Sequence, residues 1–147
     1  MAYEGSFQVT NAAGFMDTVL LPQYHDFVAD IGSTRHALLT ALTAVHLYEW
    51  VHPNQKFDID HFKATYPGFV ARAEFFEIAR KLANGTKHFE GGQRAKTRRQ
   101  GGFSSAFSDA FARALMIEKD DGTEVSAFEL LKEIVVFWEE RRAAGDF

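Results

Sequence analysis

The stretch TRHALLTALTAVHLYEWV, residues 34–51, constrains the fold more than any other part of the chain. Its apolar residues Leu38, Leu39, Leu42, Val45, Leu47, Trp50 and Val51 run nearly all round a helix instead of forming one stripe. A helix that is apolar on every side has to be surrounded by other elements, so the pattern predicts a central, deeply packed helix. Ser33 before it is a natural N-cap. His52-Pro53-Asn54 ends it, because the residue ahead of a proline is pushed out of helical conformation.

Other segments show one apolar face and would pack around that centre. From Pro22, Tyr24, Phe27, Val28 and Ile31 repeat at helical spacing. Asp58 or Asp60 can cap a short helix containing Phe62, which Tyr66-Pro67 interrupts. A helix over about 67–83 carries Phe69, Ala73, Phe76 and Ala83 on one side, with Glu77 and Lys81 four apart as an exposed ion pair. Asn84-Gly85 supplies its stop, since glycine takes the left-handed conformation past a helix end at little cost. Phe103, Phe107, Phe111 and Leu115 then form a narrow aromatic stripe on a further short helix.

The period next changes to two. In LMIEKDDGTEVSAF, Asp121-Gly122 reads as a two-residue hairpin turn that sets Lys119 opposite Glu124. Ser126 and Glu129 have capping-box spacing. The helix that follows shows Phe128, Leu131, Val135 and Trp138 as a stripe widened by Leu130, Ile134 and Phe137, ahead of a charged, frayed end EERRAAGDF. The reading is therefore mainly α: a helical bundle with one β-hairpin before the C-terminal helix. A single domain spans residues 1–147, with residues 1–11 a loose arm, weakly strand-like over 3–9, and 89–102 a flexible basic loop.

Composition bounds the function classes. The chain has 147 residues, no cysteine, fifteen Phe and a net charge of −4. Disulfides and thiol catalysis are excluded, and any metal would need His and carboxylate ligands. No apolar run is long enough to cross a membrane, and MAYEGSFQVT has no basic n-region, so the chain reads as cytoplasmic without a membrane partner. Phosphate-loop, dinucleotide and nucleophile-elbow motifs do not occur.

Charge is unevenly spread. Residues 87–99 hold Lys87, Arg94, Lys96, Arg98 and Arg99 against Glu90, five cations and one carboxylate, hence +4; the rest of the chain carries −8. Glycine pairs bracket the run GGQRAKTRRQGG. Such an island suits contact with RNA or another anionic partner through its phosphates or carboxylates, whereas a solvated loop without a ligand is the plain alternative. The run has no aromatic for stacking bases, apart from Phe89 and Phe103 at its margins, so general electrostatic attachment fits better than sequence-selective recognition.

Two further groupings carry chemistry. Arg80 and His88 combine a phosphate-holding guanidinium with a proton-transfer group, which suffices for metal-free cleavage of RNA through its own 2′-hydroxyl. Lys87 and His88 equally suit the carbonyls at a helix C-terminus. His46 and Glu49, three apart on the central helix, could face a metal with His25, Asp26, His36, His52 or His61, yet no complete ligand motif is present. The reading therefore assigns no metal and no cofactor.

The helical framework with an Arg80-to-His88 motif at a helix end resembles the HEPN group of small helical domains, though the interval here is longer than is usual there. That resemblance covers residues 22–88 and the last helix, and implies a metal-independent ribonuclease with Arg80 and His88 as its catalytic pair. The helix ending in ANGTKHF, the hairpin LMIEKDDGTEV and a last helix bearing Phe-Trp also resemble uncharacterised small bacterial proteins, which imply no activity. The primary expectation is a binding or regulatory protein using Lys87, Arg94, Lys96, Arg98 and Arg99 against an anionic partner, with the ribonuclease as the alternative. A homodimer built on the Phe-rich stripes is equally compatible with the sequence.

Overall fold

A computed structural model describes residues 7–87, 96–99 and 114–147, with the backbone alone at 86, 87 and 99. Helix α1 (Ala12–Phe15) is capped by Asn11, whose side chain accepts from Gly14 N–H at 2.7 Å. It runs through a π-helical turn, Met16–Leu20, into α2 (Leu21–Ala29). Then come α3 (Thr34–Val51), α4 (Ile59–Thr65), a 3₁₀ turn at Pro67–Phe69 and α5 (Val70–Lys87). Strands β1 (Lys96–Arg99), β2 (Leu115–Glu118) and β3 (Glu124–Ser126) form an antiparallel sheet in that order, and β3 feeds directly into α6 (Ala127–Ala143). The mainly helical class with strands before the last helix holds, with one strand more than a hairpin. None of the described helices is long and apolar enough to cross a membrane.

Local signals placed most helix starts. Ser33 Oγ accepts from His36 N–H at 3.2 Å, Asp58 Oδ1 from both Asp60 and His61 N–H at 3.0 Å, and Ser126 Oγ from Glu129 N–H at 3.0 Å. Each fills a donor that the first turn leaves open. Asn84-Gly85, by contrast, does not stop α5, which continues to Lys87. Glycine within a helix costs only about 1 kcal/mol relative to alanine, which the burial of Leu82 and Ala83 one turn earlier can outweigh.

Helix α3 is central, as expected, but it is not buried all round. Ala37, Thr40, Ala41, Ala44, Leu47 and Tyr48 are inside, while Leu39 is 41% exposed. The small side chains let α5 and α6 approach α3 closely, and the space is filled by rings from those neighbours. Phe62 lies 5.0 Å from Phe76 and 5.3 Å from Phe137, and Trp138 lies 5.4 Å from Phe76 and 6.1 Å from Tyr48, all between ring centroids. Buried Thr40 donates its hydroxyl to the His36 carbonyl at 2.7 Å, so its burial leaves no unpaired hydrogen. On α6 the expected stripe is inside: Leu130, Leu131, Ile134, Val135, Phe137 and Trp138 are all buried.

Of the expected N-terminal arm, residues 1–6 lie outside the described residues, while Phe7 and Gln8 have positive φ (53° and 66°), outside strand conformation, and Val9 is buried. The C-terminal EERRAAGDF does not fray. Gly145 N–H bonds the Arg142 carbonyl and Asp146 N–H the Arg141 carbonyl, both at 3.0 Å, a Schellman closure that folds Phe147 back to 6.0 Å from Trp138. Gly145 sits at φ +89° with open space where a Cβ would go, so the cost of a side chain there is backbone strain alone. Gly145→Ala is expected to lower stability by about 1 kcal/mol in denaturant unfolding, whereas Ala144→Gly, beside it at ordinary helical φ, gains nothing.

Candidate functional site

Four residues of the basic run, Lys96 to Arg99, are not a loop. They pair along β2, with Lys96 opposite Glu118, Thr97 opposite Ile117, Arg98 opposite Met116 and Arg99 opposite Leu115. The turn between β2 and β3 sets the register of the next pair. Gly122 N–H bonds the Lys119 carbonyl, and Lys119 N–H bonds the Thr123 carbonyl at 2.7 Å, so the loop holds three residues, Asp120 to Gly122, with Gly122 at φ +85°. That extra residue moves the register by one from the Asp121-Gly122 expectation. Glu118, not Lys119, faces Glu124.

Two carboxylates directly opposite each other on neighbouring strands repel. The cations of β1 offset this. Lys96 Nζ approaches Glu118 at 4.0 Å, and Arg98 reaches across β2 to donate to Glu124 Oε1 at 2.7 Å. Buried Ile117 turns the other side of the sheet to the core, so Lys96, Arg98, Glu118 and Glu124 share the solvent face. The displaced Lys119 turns to Glu74 (3.6 Å), and Lys81, expected to pair with Glu77, lies 3.8 Å from Asp120.

Glu77 is occupied elsewhere. It accepts from Arg80 through both oxygens, Nε at 2.9 Å and Nη2 at 2.6 Å, a forked pair that raises the Arg80 pKa. A phosphate binding Arg80 would have to displace a bidentate carboxylate. His88 and Arg94 lie outside the described residues, as do the side chains of Lys87 and Arg99, so of the expected catalytic pair only Arg80 is placed. The helix of Phe103, Phe107 and Phe111 lies outside them as well, while Leu115, assigned to the same helix, belongs to β2.

One polar cluster escaped the sequence reading. Tyr48 and His52, one turn apart at the end of α3, meet His61 and Tyr66 from α4 and its C-cap. The Tyr48 hydroxyl lies 2.5 Å from His61 Nδ1, the Tyr66 hydroxyl 2.7 Å from His52 Nε2, and the two imidazole centroids are 5.3 Å apart. Burial pushes the Tyr48 phenol up to about 12 and drives that of Tyr66 up as well, so both hydroxyls stay protonated, and the imidazole tautomer sets the direction of each hydrogen bond. Burial first, then the neighbouring His61, holds His52 below the ordinary imidazole range, with Asp146 opposing. Arg141 closes this end of the bundle with its guanidinium 4.3 Å from the Phe69 ring centroid. The signal was available in the one-turn spacing of Tyr48 and His52, but their partners come from 13 and 14 residues downstream.

Of the residues weighed for a metal only His52 and His61 come together, each hydrogen-bonded to a tyrosine hydroxyl, and the others are dispersed. His46 and Glu49 point to solvent from α3, His25 and Asp26 are exposed on α2, and His36 meets Gln23 Nε2 at 3.1 Å. Among the described residues no group of three or more His, Asp or Glu is placed to hold a metal ion. No protein-family model, curated protein or solved structure matches the chain.

Proposed function

We propose that this is a cytoplasmic binding or regulatory protein that meets an anionic partner through β1 and the cations flanking it in sequence: Lys87, Arg94, Lys96, Arg98 and Arg99. The observation that carries the reading is a basic strand that ends the sheet among the described residues, with the Lys96 side chain 79% and that of Arg98 52% exposed although each meets a carboxylate. Glu118 and Glu124 each meet one of these cations without removing it from solvent. The ribonuclease alternative has less support, because its phosphate-holding residue would be Arg80, already gripped by Glu77.

The test is retention on immobilised heparin, a general polyanion, at about 50 mM salt. Wild type is expected to bind and to elute as salt rises, since the attraction is screened. Lys96→Glu with Arg98→Glu abolishes retention while circular dichroism shows the helical fold intact. Equal retention of the two proteins would overturn the reading.

A further inference from the structure

We propose that Arg141 anchors a site for a single oxyanion, the phosphate or carboxylate group of a small ligand, in the place that the Asp146 carboxylate holds. The site lies at the end of the bundle near Tyr66 and does not rest on the reading of β1.

Arg141 is the exception among the arginines that face a carboxylate. Arg72 donates to Glu133 at 3.0 Å, Arg80 to Glu77 at 2.6 Å, Arg98 to Glu124 at 2.7 Å and Arg142 to Asp17 at 2.9 Å. Arg141 Nη1 instead stands 3.8 Å from Asp146 Oδ2, beyond hydrogen-bond length, and its buried Nε–H has no acceptor among the described residues. Its side chain is also the least exposed of the five, at 20%. Burial raises the cost of an unmatched charge, so the guanidinium most in need of an acceptor has the poorest one. The Phe69 ring, 4.3 Å away between centroid and Cζ, takes its flat face and leaves the N–H edges unsatisfied.

The surroundings suit a charged oxygen group. Burial dominates the shifts of His52, downward, and Tyr66, upward, and the Asp146 charge acts on each, which sets its carboxylate near both rings as well as near Arg141. When His52 Nε2 carries the ring proton, the Tyr66 oxygen accepts it at 2.7 Å and the phenol hydrogen is left to donate to an anion. A guanidinium edge offers two parallel N–H groups that match two oxygens of a carboxylate or phosphate. Asp146 cannot use them fully. Its N–H is held by the Arg141 carbonyl at 3.0 Å, and from that anchor its short side chain reaches only to 3.8 Å. An untethered oxyanion has no such limit, and the Asp146 side chain, 34% exposed, can turn to solvent to admit it.

The experiment titrates the full chain with inorganic phosphate and, separately, with acetate, at neutral pH and fixed ionic strength. Nuclear magnetic resonance follows the Arg141 Nε–H and the Gly145 and Phe147 amides. At least one anion is expected to shift all three signals along one saturable curve and to slow hydrogen exchange at Nε. Saturation by phosphate alone marks a phosphate-bearing ligand, and saturation by acetate a carboxylate. Asp146→Asn removes the internal competitor and is expected to bind about fivefold more tightly. Arg141→Lys keeps the charge but loses the paired donors, and binds about tenfold more weakly. Lys96→Glu with Arg98→Glu leaves the affinity unchanged, which separates this site from β1. No saturable shift with either anion, in wild type or Asp146→Asn, would overturn the proposal, as would equal affinity in Arg141→Lys or loss of binding with the β1 changes. Should Arg141→Lys not fold, the Nε–H signal and the Asp146→Asn comparison decide alone.

Discussion

Trp138→Ala is expected to lower the free energy of unfolding by about 3–5 kcal/mol, a large fraction of the 5–15 kcal/mol typical of a domain. Trp138 is fully buried, edge-on to Phe76 at 5.4 Å and 6.1 Å from Tyr48, and its indole Nε1–H donates to the Ala44 carbonyl at 3.0 Å. It thus fastens α6 to α3 at the point where a small α3 residue leaves room for a ring. Alanine removes the ring contacts, opens a cavity among aromatic side chains too stiff to collapse into it, and releases Phe147 at the C-terminus. Trp138→Phe separates the contributions. It keeps an aromatic body and loses the hydrogen bond, at a cost of about 1–2 kcal/mol, while the Ala44 carbonyl retains its place in the helix ladder. Urea unfolding followed by far-ultraviolet circular dichroism measures both variants. A loss below about 1 kcal/mol for the alanine variant would show that α6 is not anchored through this ring.

What the sequence made legible was local. Caps at Ser33, Asp58 and Ser126 need only residues within one turn, and the α6 stripe from Leu130 to Trp138 is dense enough to have one possible inner face. Failures occurred where a distant partner decides. On α3 the apolar residues run nearly all round, yet the most buried face is lined largely by Ala37, Ala41 and Ala44, where α5 and α6 approach, and Leu39 is left outside. Asn84-Gly85 is a fair stop signal that packing of the preceding turn overrode. The hairpin turn was seen, but its length was short by one residue, and because side chains alternate that single step exchanged Lys119 for Glu118 opposite Glu124. The consequence reached the site. With Glu118 and Glu124 face to face, the cations Lys96 and Arg98 acquire a structural role in the sheet, which no count of charges along the chain could show. The Tyr48, His52, His61 and Tyr66 cluster was hidden for the same reason, since its hydrogen bonds join α3 to the region of α4.

That cluster makes stability depend on pH near neutrality. His52 is held below the ordinary imidazole range, by burial first and by His61 second, and Asp146 only partly opposes this. The unfolded chain therefore takes up a proton at about pH 6.5 that the folded chain resists. The stabilising contribution of neutral His52 is complete above that value and is lost as pH falls from it through the folded pKa, at up to about 1.4 kcal/mol per pH unit for the one proton. Protonation also makes Nε2 a donor to the Tyr66 hydroxyl and sets a positive charge beside the His61 ring. The useful window is pH 7.5 to 5. Carboxylates held low by their partners, Asp17 by Arg142 and Asp121 by Thr123, contribute stability that disappears only at more acid pH. Unfolding free energy measured across this window should fall for wild type and fall less steeply for His52→Gln, whose neutral amide can still accept from Tyr66. Identical slopes in the two proteins would mean that His52 takes its proton as readily folded as unfolded, and that the phenol–imidazole pair does not resist the charge.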